Sequence, residues 1–465
     1  MFRSRAKQRR IFTDRRRKRR FSWLWTTISI GLFLLTLELV TRIFVDLTGD
    51  RSQFARAEVK PDLISAYQLD FVPPGGTHSK KGALLAKRNL SMGYSLVGNQ
   101  QNKLWQINEQ GFRDREAVPL QKPQGEIRIF LLGNSTAFGY GSPNNSSTIA
   151  AQLESRIQQR LRQQKNSPQE YQPDVLPYDK TEREKYLAKP AKIKPGNYRI
   201  INAAVPGYAS GNELAQMALQ IFKYKPDLIV VLDGYQDLLL PSDREATEAP
   251  EIQVAQDDRL ESLGAYVDKA IEPIQNNSYL LQIAAKQWNK SDREDSQEDF
   301  VLDESTSNLV KHLPQTEPEL QARVDRYIEH QKQMLDLSTA AQVPLLIAIQ
   351  PEITGRDPSQ LTATEGKIAT ELGRTYIDRV RQSYPVLIQA SKKLAKAYPK
   401  NMKVLDLYKL TNKYPSPSFI DPIHLNKVAN TKVAEQLYYG IASLPKMQIK
   451  PKQAPQPAPV YPRRY

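Results

Sequence analysis

Five short apolar runs, each followed by a stretch with helical periodicity, constrain this chain more than any other feature. They occupy residues 127–132, 198–202, 228–232, 343–349 and 402–405. Runs this short and this continuously apolar suit strands buried on both faces, and their alternation with helices predicts a parallel α/β sheet of five strands. Between them, Ile149, Leu153, Ile157 and Leu161 mark one helix face, and Leu214, Ala218, Ile221 and Phe222 mark another. A third helix begins near Thr316, a plausible cap with Pro318 in the first turn, and carries Leu320, Val324, Tyr327, Met334 and Leu335 on one stripe. The last helices span 380–398, with Pro385 expected to interrupt the first, and 425–439.

At 465 residues the chain can hold one large domain with accessories. The alternating region is read as 123–444, broken by polar insertions at about 163–196 and 242–316. The second insertion follows the third strand directly, so it is either a lid over the strand ends or a solvated loop. Residues 46–122, with a Pro73-Pro-Gly-Gly76 turn signal and the segment Asn108-Glu-Gln-Gly-Phe-Arg-Asp114, read as a stalk packing onto the main domain. The Pro-rich residues 445–465 are expected to be extended and unpacked.

The location of the charge decides its meaning. Residues 1–20 carry a net +10 of the chain's +16, directly before an uncharged run at 21–37. Apolar residues continue to 45, with Glu38 and Arg42 one turn apart and Trp23 and Trp25 beside the basic flank. This reads as one membrane-spanning helix at 21–45, with residues 1–20 cytoplasmic and the main domain on the far side, periplasmic or lumenal. The basic tail is then a topology signal that attracts anionic lipid, and nucleic acid is not an expected partner. No small-residue cleavage site follows closely, so an uncleaved anchor is preferred to a signal peptide.

The chain lacks cysteine, which removes disulfides, thiol nucleophiles and thiolate metal sites. No histidines pair at metal-ligand spacing, and Gly133 to Gly141 lacks the lysine of a phosphate-binding loop. No cofactor or metal is expected.

Gly133-Asn134-Ser135 ends the first strand and opens a helix, a turn that can expose a hydroxyl beside backbone amides. A serine there is also an ordinary cap or turn residue. Gly207 follows the second strand, either letting backbone approach a substrate or serving as a plain turn glycine. Gln236 follows the third strand in Asp233-Gly-Tyr-Gln-Asp237 and offers a carboxamide donor, or a loop amide that satisfies nearby backbone. Four histidines are available as a general base: His78 in the stalk, His312 beside the polar insertion, His330 in a helical pattern, and His424. His424 alone has a carboxylate at Asp-x-x-His spacing, Asp421, in a loop opening a helix. All these turns fall at the carboxyl edge of the predicted sheet, where open α/β folds place their sites.

In this order the residues resemble the four sequence blocks of the SGNH superfamily, also called GDSL esterases and lipases, over about residues 127–439. The resemblance implies a flavodoxin-like three-layer sandwich. It implies Ser135 as nucleophile and first oxyanion donor, Gly207 as second, the Gln236 side chain as third, and Asp421 with His424 as the base pair. Asn134 stands where many members have aspartate, and Gln236 where asparagine is usual. The expected activity is ester hydrolysis through an acyl-serine, falling as pH drops through the histidine pKa of ~6.5. The alternatives are an O-acetyltransferase acting on an envelope polysaccharide, which would need a multi-pass membrane partner as acyl supplier, and a non-catalytic scaffold of the same fold.

Overall fold

The computed structural model describes residues 66–72, 83–247, 309–414 and 416–455. The basic tail at 1–20, the segment at 21–45, the Pro73–Gly76 turn, His78 and most of the insertion at 242–316 lie outside the described residues. Among those described, no helix is long and apolar enough to cross a membrane.

The five apolar runs form the central sheet: β1 (Glu126–Gly133), β2 (Asn197–Asn202), β3 (Leu228–Asp233), β4 (Leu345–Ile349) and β5 (Met402–Asp406). All pair in parallel, in the order β5-β4-β3-β1-β2. Every residue of β3 and β4 is buried, which explains why these runs are continuously apolar rather than alternating.

The chain turns back on itself after β2, so its crossovers leave in opposite directions from β1. Right-handed crossovers then place helices on both faces, giving three layers. One face carries α2 (Ile149–Asn166) and α7 (Lys427–Ala442), which pack on each other; Gly440 of α7 lies against Leu346 and Leu405. The other carries α3 (Ser210–Gln216), α5 (Glu317–Ala340) and α6 (Ala363–Ala397). Two short helices, α1 (Ser135–Phe138) and α4 (Tyr235–Leu239), start immediately after β1 and β3.

Helix termini follow sequence chemistry. Thr316 caps α5 by accepting from Glu319 N–H at 3.4 Å, and Thr362 with Glu365 forms a reciprocal capping box at α6. The expected interruption at Pro385 is displaced. The helix runs through Pro385, and its non-helical residue is Gly373, with φ +78°. A glycine at positive φ breaks the backbone path itself, whereas the proline removes only one donor from a helix held by buried Tyr384, Leu387 and Ile388.

The expectation that the tail from 445 is unpacked also needs correction over 445–455; residues 456–465 lie outside the described residues. Met447 is buried, Lys194 N–H donates to its carbonyl at 2.9 Å, and Lys452–Gln453 pairs in parallel with Val175–Leu176 of the first insertion. The tail supplies an edge partner to a short exposed strand, and that pairing orders both segments.

Residues 66–72 and 83–114 pack into the main core rather than beside it. Tyr67, Trp105 and Phe112 are buried in the cluster that includes Phe130 and Phe138. A small sheet, Leu69–Phe71 parallel to Leu84–Asn89 and the latter antiparallel to Gly93–Leu96, brings Tyr94 to the loop after β2.

Candidate active site

The site begins with the way β1 ends. Gly133 has φ +143°, and a Cβ there would lie 2.3 Å from the Leu232 carbonyl oxygen of β3. Only glycine lets the two strand ends come this close, and the chain turns at once into α1. Asn134 caps that helix, its Oδ1 accepting from Thr136 N–H at 3.0 Å, and Ser135 is the first helical residue. Ser135 therefore sits at a helix N-terminus, where amides and dipole favour negative charge.

Gly207 lies after β2 with φ +83°. A side chain there would meet the Tyr94 hydroxyl, 2.6 Å from the position of a Cβ. Tyr94 donates to Pro206 O at 2.8 Å, which holds the turn from beneath. The Gly207 N–H meets no acceptor among the described residues. Gln236 is buried in the first turn of α4, with Gly234 at φ +106° before it. Because β1 lies between β2 and β3, the three turns carrying Ser135, Gly207 and Gln236 are neighbours at one sheet edge.

Asp421 and His424 come from the loop between β5 and α7. Asp421 Oδ2 is 2.5 Å from His424 Nδ1, and its Oδ1 accepts from the N–H groups of Ile423 at 3.0 Å and His424 at 2.7 Å. Burial pushes this carboxyl up, but the His424 charge and these hydrogen bonds outweigh it and hold Asp421 below the usual carboxylate range. The loop is thus a closed turn that presents one edge of the imidazole to its acid and the opposite edge, Nε2, elsewhere.

Two contacts bring the halves of the site together. Thr136 Oγ1 donates to Ile423 O at 3.2 Å, joining the residues next to Ser135 and His424. Tyr140, whose N–H donates to Ser135 O at 2.9 Å, stacks on the His424 ring at 4.0 Å between centroids and 16° between planes. A third strut crosses the sheet: Asn134 Nδ2 donates to Gln350 Oε1 at 2.7 Å, and Gln350 Nε2 donates to Thr136 Oγ1 at 3.3 Å.

Several supporting residues were not legible as such. Arg113, buried, donates from Nη1 to Phe138 O at 3.1 Å and Gly139 O at 2.8 Å, neutralising the carbonyl end of α1. Its segment was visible as a motif, but no spacing rule linked it to Ser135. His330, in the helical pattern that forms α5, is buried. Its Nδ1 lies 2.7 Å from Ser210 Oγ, and its Nε2 lies 2.8 Å from Glu245 Oε2. Ser210 Oγ–H donates in turn to Asp237 Oδ1. Of the remaining histidines, His312 ends the short helix Leu309–His312, and its carbonyl accepts from Arg323 Nη1.

A buried acid group underlies this second cluster. Tyr327 donates to Asp233 Oδ1 at 2.6 Å, and burial, then the charge of Asp237, push Asp233 up to about 7. Glu213 is pushed well above its ordinary value by burial and by Asp233. Among the described residues, no group of acids and histidines has the geometry to hold a metal ion.

No family model matches the sequence, and no curated protein matches it. Solved structures do. A lipase/acylhydrolase from Enterococcus faecalis is 15% identical, covering 70% of this chain and 100% of its own, with a TM-score of 0.34. A catalytic mutant of an acetylxylan esterase from Geobacillus stearothermophilus is 9% identical, covering 69% and 96%, with a TM-score of 0.32. A psychrotrophic esterase from a Pseudoalteromonas species is 10% identical, covering 68% and 96%, with a TM-score of 0.31. With TM-scores below 0.5, the functional reading rests on the site's own geometry.

Proposed function

We propose that this chain is an SGNH-type serine hydrolase that cleaves an ester through an acyl-serine intermediate. The observation that supports it most is the docking of the Ser135 turn onto the Asp421–His424 turn through Thr136 and Ile423, which are 287 positions apart. His424 takes the Ser135 hydroxyl proton as the oxygen attacks the acyl carbon. Asp421 keeps the proton on Nδ1 and stabilises the imidazolium. The Ser135 and Gly207 amides and the Gln236 carboxamide receive the oxyanion. The tetrahedral intermediate collapses as His424 returns the proton to the leaving alcohol, and the same base then activates water to release the acid.

The test uses the full-length chain in detergent with a small acetyl ester, with and without a polysaccharide acceptor. Ser135→Ala is expected to lower kcat/KM by ~10⁴-fold or more with unchanged thermal unfolding. Ester turnover that survives the substitution removes Ser135 as nucleophile, and Ser135-dependent acetylation of the acceptor in place of hydrolysis converts the reading to a transferase.

We further propose that residues 21–45 anchor the chain, with the main domain outside the cytoplasm. The absence of native cysteine makes this directly testable. A single cysteine introduced at an exposed position such as Tyr178 should react with a membrane-impermeant maleimide added to the outside of spheroplasts. Labelling only after lysis would reverse the orientation.

A further inference from the structure

Ser210, His330, Asp237 and Glu245 form a hydrogen-bonded chain that the reaction above does not use. Ser210 begins α3, three residues beyond Gly207, and Asp237 is the residue after Gln236. Asp237 accepts from the Ser210 hydroxyl and also from the Ser210 N–H, at 3.3 Å to Oδ1 and 3.2 Å to Oδ2. A serine hydroxyl carries one proton, and here it is directed at the carboxylate. The second contact of Ser210 Oγ, at 2.7 Å to His330 Nδ1, is therefore an N–H donating from the ring. The opposite ring nitrogen, Nε2, also faces a carboxylate oxygen, Glu245 Oε2 on the segment that follows α4, so it too donates an N–H and the ring carries both protons.

We infer that His330 is a positioning residue that clamps the Gly207 turn to the Gln236 helix through Ser210 and Asp237, keeping two oxyanion donors in register. The inference rests on the hydrolase reading for the role of those donors, not for the clamp itself. Neighbours on every side fit the role. On α5, Tyr327 holds Asp233, and Arg326 donates to Asp237 O at 3.0 Å, Leu240 O at 3.1 Å and Arg244 O at 2.7 Å. From α3, Asn212 donates to Ala246 O at 2.5 Å, and Glu213 adds a buried carboxyl. The titratable groups packed about this cluster are thus Asp237, Asp233, Glu213 and Glu245, with Arg326 as the cation. Asp237 and Ser210 are 1% and 0% exposed, so solvent cannot replace a missing partner.

Asparagine and glutamine separate this role from mere core filling. The asparagine amide nitrogen overlays Nδ1 and can still donate to Ser210. The glutamine amide overlays Nε2 and can reach only Glu245. In the full-length chain, His330→Asn is expected to keep kcat within about threefold of wild type. His330→Gln should lose about 10- to 100-fold in kcat with KM changed less than about threefold, as for a displaced oxyanion donor. Equal losses in the two variants, or wild-type kcat in His330→Gln, would overturn the clamp.

A second readout needs no turnover. With four histidines in the chain, ¹⁵N-histidine labelling gives few ring signals, and His330 is assigned by its disappearance in His330→Asn. A proton on His330 Nδ1 is expected, and an unprotonated Nδ1 overturns the inference. If wild type cleaves no ester, the hydrolase reading falls alone. The clamp is then decided by this ring signal and by the Gly207 and Gln236 amide resonances, which should move in His330→Gln and hold in His330→Asn.

Discussion

Two groupings of serine, histidine and carboxylate stand at the same sheet edge, and only one has the orientation of a proton shuttle. In the first, Asp421 takes Nδ1 of His424, leaving Nε2 on the opposite edge of a ring held flat by Tyr140. In the second, Nδ1 of His330 faces Ser210, and the proton of that serine is engaged by Asp237. A hydroxyl already donating to a carboxylate, and accepting from the histidine, has no base to activate it as a nucleophile. Residue types are shared between the clusters, and hydrogen-bond direction separates chemistry from support.

Removing the two imidazoles tests this contrast most strongly. His424→Ala should lower kcat by ~10³-fold or more, because the proposed reaction uses this imidazole as the base of both half-reactions. Its loss should greatly exceed that of His330→Gln under identical assay, and a comparable fall in the two would erase the distinction. The acids come next. Asp421→Asn preserves shape but reverses the tautomer preference of the ring, and a fall of ~10³- to 10⁴-fold in kcat is expected. If Asp421→Asn lost less than tenfold, Asp421 would be an anchor for the loop rather than the partner of the base.

Stability against pH separates the clusters in a different way. Asp233, beneath the second cluster, keeps its proton to about pH 7 in the folded protein, whereas an unfolded aspartate releases it near ~4. Between those values the unfolded chain binds fewer protons than the folded one, so this group makes stability fall as pH rises through the window. Asp421 has the opposite sign: its depressed value adds stability that is lost only as pH falls below the usual carboxylate range. Asp233→Asn should flatten the decline between about pH 4 and 7 and raise stability at neutral pH. Denaturant unfolding at both ends of the window measures it, and an unchanged slope would remove Asp233 as its source.

Tyr140→Ala sharpens the first cluster alone. It leaves both ends of the Asp421–His424 bond in place but removes the stacked face that fixes the ring plane. A drop of about tenfold in kcat with little change in KM is expected, since a tilted imidazole is a misaligned base rather than a missing one. Restoration by Tyr140→Phe would assign the effect to the ring, whereas failure of Phe to restore would assign it to the hydroxyl.

What the sequence made legible follows from what is local. Strands buried on both faces announce themselves as apolar runs, and the five expected strands form the sheet within two residues at each end. Ser135, Gly207 and Gln236 could be nominated because each falls in the turn after such a run, and His424 because Asp421 stands at Asp-x-x-His spacing before it. The supports could not. Arg113 reaches α1 from an irregular segment with no periodic signal, and Gln350 touches Asn134 across 216 positions. His330 looked like one more member of an amphipathic helix, because the partners that give it meaning come from the loops after β2 and β3. Gly373 prevailed over Pro385 as the break in α6 for a similar reason: tertiary packing around Tyr384 and Leu387 holds the proline turn in place.

The smallest expected effect concerns Asn134, which stands where the resembling family often has aspartate. Its two side-chain atoms do different work: Oδ1 caps α1, and Nδ2 donates to Gln350 Oε1. Asn134→Asp keeps the cap and puts a carboxylate where a helix N-terminus favours it. It also places an acceptor against an acceptor, so the Gln350 amide must turn over. That turn takes its Nε2 away from Thr136 Oγ1, whose own proton is given to Ile423 O. One gain and one loss of similar size leave about 1 kcal/mol of destabilisation or less. The new charge, next to Ser135, opposes a developing oxyanion and should lower kcat a few-fold while leaving the His330 ring signal unmoved. A rise in kcat would mean that the strut through Gln350 holds the Ser135 turn back from its reacting position, and that Asn134 restrains this site instead of assembling it.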